Sequence, residues 1–326
     1  MPHAIRIHAY GGPEQLHYEP VGDEVPGAGQ VLVQHTAIGV NFIDTYHRTG
    51  LYPLPSLPHG LGGEAAGVVL AIGPDVVSVA AGDRVGYATV TPPGAYCQRR
   101  VVAIDKLIPL PRFVADQQAA ALLLKGMTVE SLVRRTFRVE AGMTVLLHAA
   151  AGGIGLLACQ WLAALGATVI GTVSSDQKAE LARAHGCQHT IVYTREDFVA
   201  RVQEITRGKG AHVVYDGVGK STLRGSLDCL RRRGMLVSFG NASGRPDPID
   251  PLDLSKRGSL FLTRPSLFDY TATRAELLAS ASAVFELVRR EVLAVRLGGR
   301  FPLAEAATAH RALESRETAG AIVLLP

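Results

Sequence analysis

A chain of 326 residues with 47% apolar and 19% charged residues is long enough for about two domains with large cores. Its net charge of +4 comes without a long basic run, which argues against a dedicated nucleic-acid surface, and no apolar stretch approaches the ~20 residues of a membrane span. The four cysteines, Cys97, Cys159, Cys187 and Cys229, form no C-x-x-C pair, which excludes a zinc knuckle or dithiol motif and fits a reduced, cytoplasmic setting.

The chain opens on MPHAIRIHAY, which alternates like a strand and lacks the apolar core of a secretory signal. VLVQHTAIGV (31–40) and GVVLAIG (67–73) read as strands. Glycine and proline punctuate this part at PGAG (26–29), LYPLPSLPHG (51–60) and TPPG (91–94), the texture of an irregular β domain. From Asp116 to Arg135 the pattern turns helical. Strands are then expected at 144–148, 167–173, 189–193, 212–216, 235–240 and 259–263, with helices at 153–165, 177–185, 196–206 and 221–230 between them. Such alternation calls for a parallel sheet covered on both faces. Arg231, Arg232 and Arg233, followed by Gly234, read as the solvated C-terminus of the last of these helices. Helices follow at 274–292 and 303–315, and AIVLLP closes the chain as a strand that must join a sheet elsewhere. The expected fold is α/β: a doubly wound parallel sheet over 123–265, inserted in a β-rich domain made of 1–122 and 266–326.

His148–Gly155 reads HAAAGGIG. A dinucleotide fingerprint, G-x-G-x-x-G, stands where a strand turns into a helix, and here Ala150, Gly152 and Gly155 fill its three positions. Alanine suits the first place if its backbone needs no positive φ. Backbone N–H groups of Gly152, Gly153 and Ile154 would face a pyrophosphate at the helix start. The second strand ends in GTVSSDQK (171–178). Val173 and Ser174, where an NAD site places its ribose-binding acid, are neutral. Ser174, Ser175 and Lys178 suit a 2′-phosphate, so the expected cofactor is NADPH. Asp176 is a rival ribose acid whose blander role is a helix N-cap, a role open to Ser175 as well.

Across nearly the whole chain, AIGVNFIDTYHRTGLYP, GLGGEAAGVV, AGDRVGYA, LLLKGMTVESLV, HAAAGGIGLLACQWLAALGA, VVYDGVG, LVSFGNASG and SLFLTRPSL resemble the NADPH-dependent quinone oxidoreductases. These are zeta-crystallin-like, zinc-free members of the medium-chain dehydrogenase/reductase superfamily. The resemblance implies a GroES-like catalytic domain, a Rossmann cofactor domain and a homodimer. It puts Asn41, Tyr46 and Tyr52 at the substrate cleft as hydrogen-bond donors, with Asn41 also near the cofactor. Packing is the alternative role of each tyrosine, and capping the helix expected at FIDTYHR is that of Asn41 and Asp44. Lys125 and Thr128 fall where the family meets the nicotinamide ribose and phosphate. Tyr193 would flank the adenine, Ser238, Phe239 and Gly240 end a strand at the cofactor, and Arg264 is either a phosphate ligand or a surface cation.

In the zinc alcohol dehydrogenases a cysteine occupies the place of Asn41 and a histidine that of Gly63. Glu64 alone makes no site, and His35, His47, His59 and His148 share no ligand spacing, so no metal is expected. Without a Lewis acid, a quinone is the fitting acceptor: it takes hydride readily, and positioning supplies much of the catalysis. The alternatives are an enone or alkenal C=C reductase or, in another class, a crystallin-like or single-stranded-RNA-binding role.

Overall fold

The computed structural model describes residues 1–316 and 318–326. Its alternating middle segment builds a six-stranded sheet in the order His189–Val192, Thr168–Val173, Thr144–Leu147, Ala211–Asp216, Leu230–Ser238, Phe261–Thr263. Every pair is parallel. In chain order this is 3-2-1-4-5-6, the dinucleotide-binding arrangement, whose direction reverses beside the first strand. Leu146, Ile170, Ile191, Val214 and Leu236 from the strands pack with Val202 and Leu227 from the helices. The inner strands are buried on both faces, which is why they read as apolar runs rather than alternations.

At the fingerprint the turn takes its positive φ at Ala149 (54°), not at Ala150. Ala150 therefore needs no glycine for its backbone, and its N–H donates to the Thr172 carbonyl at 3.0 Å. Its methyl group fits because the residue opposite is Gly171, where a Cβ would lie 2.6 Å from that of Ala150. Gly155 lets the helix Gly153–Ala164 sit tight on the turn: a Cβ there would meet the Ala149 carbonyl oxygen at 2.2 Å.

The remaining strands form two further sheets. A seven-stranded one runs Leu297–Pro302, Ala321–Leu325, Gln30–Val40, Glu64–Ile72, Arg84–Tyr87, Ile108–Pro109, with Arg99–Ala103 also on Gln30–Val40. The closing strand thus finds its partner in the first part of the chain, antiparallel to Gln30–Val40. A three-stranded sheet joins His17–Pro20, His3–Ile7 and His59–Gly60. Val31, Val33, Ile38, Val69, Val85, Ile322 and Leu324 are buried in the core of this part.

Two compact units result: residues 1–127, 271–289 and 295–326 form one, and 128–270 with 290–294 the other. The limits differ from the 122/123 and 265/266 expected from sequence texture. The helix Asp116–Glu130 runs unbroken past the first of these, then continues as a π-helical stretch, Ser131–Thr136. Residues 290–294 return to the parallel-sheet unit, where the Gln160 amide bonds both the N–H (2.8 Å) and the carbonyl (3.1 Å) of Ala294.

The arginine triplet corrects the sequence reading. The helix before it is only Leu223–Asp228, and Arg231–Arg233 lie, exposed, in the strand Leu230–Ser238. The strand pairs Leu230 with Ala211 and Met235 with Val213, so the arginines bulge out of register, with Arg233 at φ 57°. Leu230 ends the helix early because it pairs into the sheet.

Gly155→Ala is expected to lower unfolding free energy by about 1–3 kcal/mol, the range for overpacking against backbone that cannot move. Gly152→Ala, whose Cβ approaches only to 3.2 Å, should cost less. Urea denaturation of both variants checks the ranking.

Candidate active site

The strand Gln30–Val40 ends where the helix Phe42–Thr49 begins, and Asn41 holds the N-cap position between them. Its side chain meets two charged neighbours. The Asn41 Nδ2 group donates to Glu64 Oε2 at 2.9 Å, and the Lys125 ammonium donates to Asn41 Oδ1 at 2.7 Å. The same ammonium lies 3.4 Å from Glu64 Oε2 and from the Val40 carbonyl. Glu64 Oε1 accepts from the Leu124 N–H at 2.7 Å. Gly39 makes this approach possible, since a Cβ there would sit 2.3 Å from Glu64 Oε2. Asn41, Glu64 and Lys125 are all buried. Burial pushes the Glu64 carboxyl up, and Lys125, Asn41 and the Leu124 N–H oppose that rise.

Asp44, in the first turn of the helix, does the capping. Its Oδ2 accepts from the Asn41 N–H at 2.8 Å and from the Tyr96 hydroxyl at 2.9 Å. Tyr46 and Tyr52 meet edge to face with ring centroids 5.2 Å apart, and the Tyr52 N–H donates to the Tyr46 carbonyl at 3.0 Å. Tyr46 is buried and Tyr52 half-buried, so packing is part of their role.

In the parallel-sheet unit, Gly152 is the N-cap of the fingerprint helix and Gly153 its first residue, so the first-turn N–H groups have no acceptor within the helix. Ser175, not Asp176, caps the next helix: its hydroxyl accepts from the Lys178 N–H at 3.3 Å. Asp176 is instead ion-paired with Arg195. Ser174 and Lys178 are half-buried, and Tyr193 is exposed. Ser238 ends its strand, the Phe239 N–H donates to the Asp216 carbonyl at 2.8 Å, and Gly240 packs on the Gly217 backbone. Thr128 accepts at its carbonyl from the Ser131 hydroxyl at 2.8 Å, and Arg264 is exposed just past the last strand.

Sequence reading missed the group that ties these strand ends together. Asp216 accepts from the N–H groups of Val218 (2.8 Å) and Gly219 (3.0 Å) and from the hydroxyls of Thr222 and Ser226. His148 reaches Ser226 Oγ at 3.0 Å and Thr172 Oγ1 at 2.9 Å, with burial holding its imidazole below the usual range. An acid at the end of a buried strand, followed by glycine, was the available signal.

Residues 27–112 match the alcohol dehydrogenase GroES-like domain and residues 153–283 the zinc-binding dehydrogenase family. The chain is 51% identical to a quinone oxidoreductase of Pseudomonas aeruginosa over 100% of both chains. The chain belongs to the quinone oxidoreductase family. A 2-haloacrylate reductase from Burkholderia is 49% identical over 99% of this chain and 98% of its own. The crystal structure of Escherichia coli quinone oxidoreductase complexed with NADPH superposes with a TM-score of 0.97 at 47% identity, covering 99% of this chain and 100% of that one.

The zinc named in one matching family does not suit this member. A catalytic zinc takes about three protein ligands from thiolate, imidazole and carboxylate. Here Asn41 offers an amide already bonded to a cation, Gly63 offers nothing, and an ammonium has donors only. The Glu64 carboxylate is fully engaged. Among the described residues there is no group of three or more His, Cys, Asp and Glu able to hold a metal. Elemental analysis of the purified enzyme is expected to find zinc far below one per chain, and chelators should leave activity unchanged. Stoichiometric zinc with chelator-sensitive activity would overturn this.

Proposed function

We propose that this quinone oxidoreductase family member reduces quinones with NADPH, using Asn41, Tyr46 and Tyr52 at the acceptor. The observation that carries the reading is the buried Asn41–Lys125–Glu64 cluster, a fixed arrangement of donors where a metal-dependent relative would need ligands. NADPH supplies the hydride, and one proton completes a hydroquinone. The protein's part is to orient the acceptor and to stabilise negative charge on its oxygen. Asn41 keeps one Nδ2 hydrogen beyond its bond to Glu64, the tyrosines add hydroxyls, and Lys125 adds a fixed positive charge to the same cluster. Such preorganised donors reorient little during the reaction, which is their advantage over water.

The cofactor is assigned to Gly152, Gly153 and Ile154 at the pyrophosphate, Lys125 and Thr128 at the nicotinamide ribose, and Tyr193 at the adenine. Ser238, Phe239 and Gly240 border it at the strand ends, and Arg264 takes a phosphate. Ser174, Ser175 and Lys178 receive the 2′-phosphate. The Asp176–Arg195 pair supports this: an acid that would repel a 2′-phosphate is neutralised by its neighbour, which holds the Asp176 carboxyl below the usual range. A second reading, reduction of a conjugated C=C, is favoured by the 2-haloacrylate reductase likeness, since the same hydride geometry serves both acceptors.

A homodimer fits the last strand of the parallel sheet. Phe261–Thr263 has a neighbour on one side only, and Phe261 and Leu262 are 55% and 39% exposed. An apolar open edge invites pairing with a second copy. Four free, buried cysteines suit a cytoplasmic setting. No helix among the described residues is long and apolar enough to cross a membrane.

Steady-state rates over a panel of quinones and enones, with NADPH and NADH, test the function. Quinones with NADPH should give the highest kcat/KM, and a wild-type preference for enones would favour the second reading. Lys178→Ala should raise the NADPH KM about tenfold or more while barely moving that for NADH, as expected for losing a charge-assisted phosphate contact. Equal effects on both would remove Lys178 from the phosphate site. Light scattering in solution should give the mass of two chains.

A further inference from the structure

Behind Asn41 runs a buried chain of hydrogen bonds in which every proton has an assigned place. The Arg48 guanidinium donates to Glu314 through both terminal nitrogens, at 3.0 and 2.7 Å, and its Nη1 also meets His310 Nδ1 at 3.0 Å. A guanidinium only donates, so His310 Nδ1 must accept. Burial, with Arg48 beside it, holds the imidazole neutral, its pKa down at about 3, which leaves the one ring proton on Nε2. His310 Nε2 therefore donates to the Tyr96 oxygen at 3.0 Å, and the Tyr96 hydroxyl donates to Asp44 Oδ2 at 2.9 Å. That same oxygen accepts the Asn41 N–H at 2.8 Å.

We propose that Asp44, Tyr96 and His310 are positioning residues: their relay fixes the backbone of Asn41, and with it the side chain that meets Lys125 and Glu64. The proposal rests on Asn41 acting at the acceptor. Its links join distant parts of one unit, the helix Phe42–Thr49, the segment holding Tyr96 and the helix Ala306–Glu314. Arg48, Asp44, Tyr96 and His310 are each at most 2% exposed. The second Asp44 oxygen, Oδ1, is buried without a hydrogen-bond partner.

The groups around Asp44 set its charge. Burial pushes its carboxyl up to about 7, with Glu64 adding to the rise; the Asn41 N–H, the Tyr96 hydroxyl and the Lys125 ammonium pull it down. Arg48, on the same helix, is tied to Glu314 and His310. Tyr96, whose hydroxyl burial and Asp44 push well above 10, and neutral His310 keep their protons across the working range, so Asp44 is the member of the relay that titrates near neutrality. Ionised, it holds the Asn41 N–H with a full charge; protonated, it holds it weakly.

Two readouts test this on the full-length enzyme: the pH profile of kcat with the best acceptor of the panel, and the 15N shift of the Asn41 backbone amide. Using the best acceptor keeps the test separate from the quinone assignment, and the amide shift needs no turnover. In the wild type, kcat should fall and the amide should shift together as pH drops through about 7. Tyr96→Phe removes a donor that favours the charged form, so both midpoints should move up by roughly half a pH unit or more. Asp44→Asn keeps an acceptor but no charge: the acid limb should vanish and kcat fall about tenfold, a loss of ~1.4 kcal/mol, with the NADPH KM unchanged. A Tyr96→Phe enzyme that loses thermal stability yet keeps both midpoints overturns the proposal. So does an amide that titrates while kcat does not.

Discussion

The unit that carries Asn41 depends on holding the ion pair of Glu64 and Lys125 out of reach of water. Desolvating two such ions carries a penalty of several kcal/mol each, repaid only by close geometry and by partners for the remaining lone pairs. The local sequence is arranged to meet that demand. Gly39 clears the space beside the carboxylate, the helix containing Leu124 lends an N–H, and Asn41 bridges acid and base with both ends of its amide. Removing either ion would leave the other buried without its countercharge, so the cluster is rigid because its alternatives are worse. Rigidity of this kind suits a site that works by aiming dipoles.

The nucleotide-binding unit solves a related problem with neutral groups. Asp216, fully buried, is satisfied by two N–H groups and two hydroxyls rather than by a cation. Through Ser226 and His148 it reaches Thr172, and so links the ends of three adjacent strands.

Much of this was legible in the chain. Runs of buried apolar residues between glycine-bearing turns gave the strand sequence, and HAAAGGIG marked a strand-to-helix turn. The illegible parts share a cause: they depend on partners far away in sequence. LLLKGMT marked Lys125, but nothing local says that its ammonium meets residues 84 and 61 positions away. Nothing near Asp44 announces Tyr96 or His310. The arginine triplet misled because a helix ending in basic residues before glycine is a strong local pattern, and only pairing of Leu230 with Ala211 overrides it. Ser175 and Asp176 were both acceptable caps by type, and the choice fell to Ser175 once Arg195 claimed the acid.

The space shared by Ala150 and Gly171 bears on how the fingerprint should be read. Between these two positions there is room for one methyl group, and Cys187 Sγ closes the space from the other side, 2.6 Å from where a Gly171 side chain would begin. The glycine absent from the turn has in effect moved to the neighbouring strand. The requirement is a volume shared by the turn and the strand beside it, and here Gly171 leaves that volume to the methyl group of Ala150. A search keyed to three glycines in one loop records a defect here; a search that pairs the loop with the strand beside it records a trade.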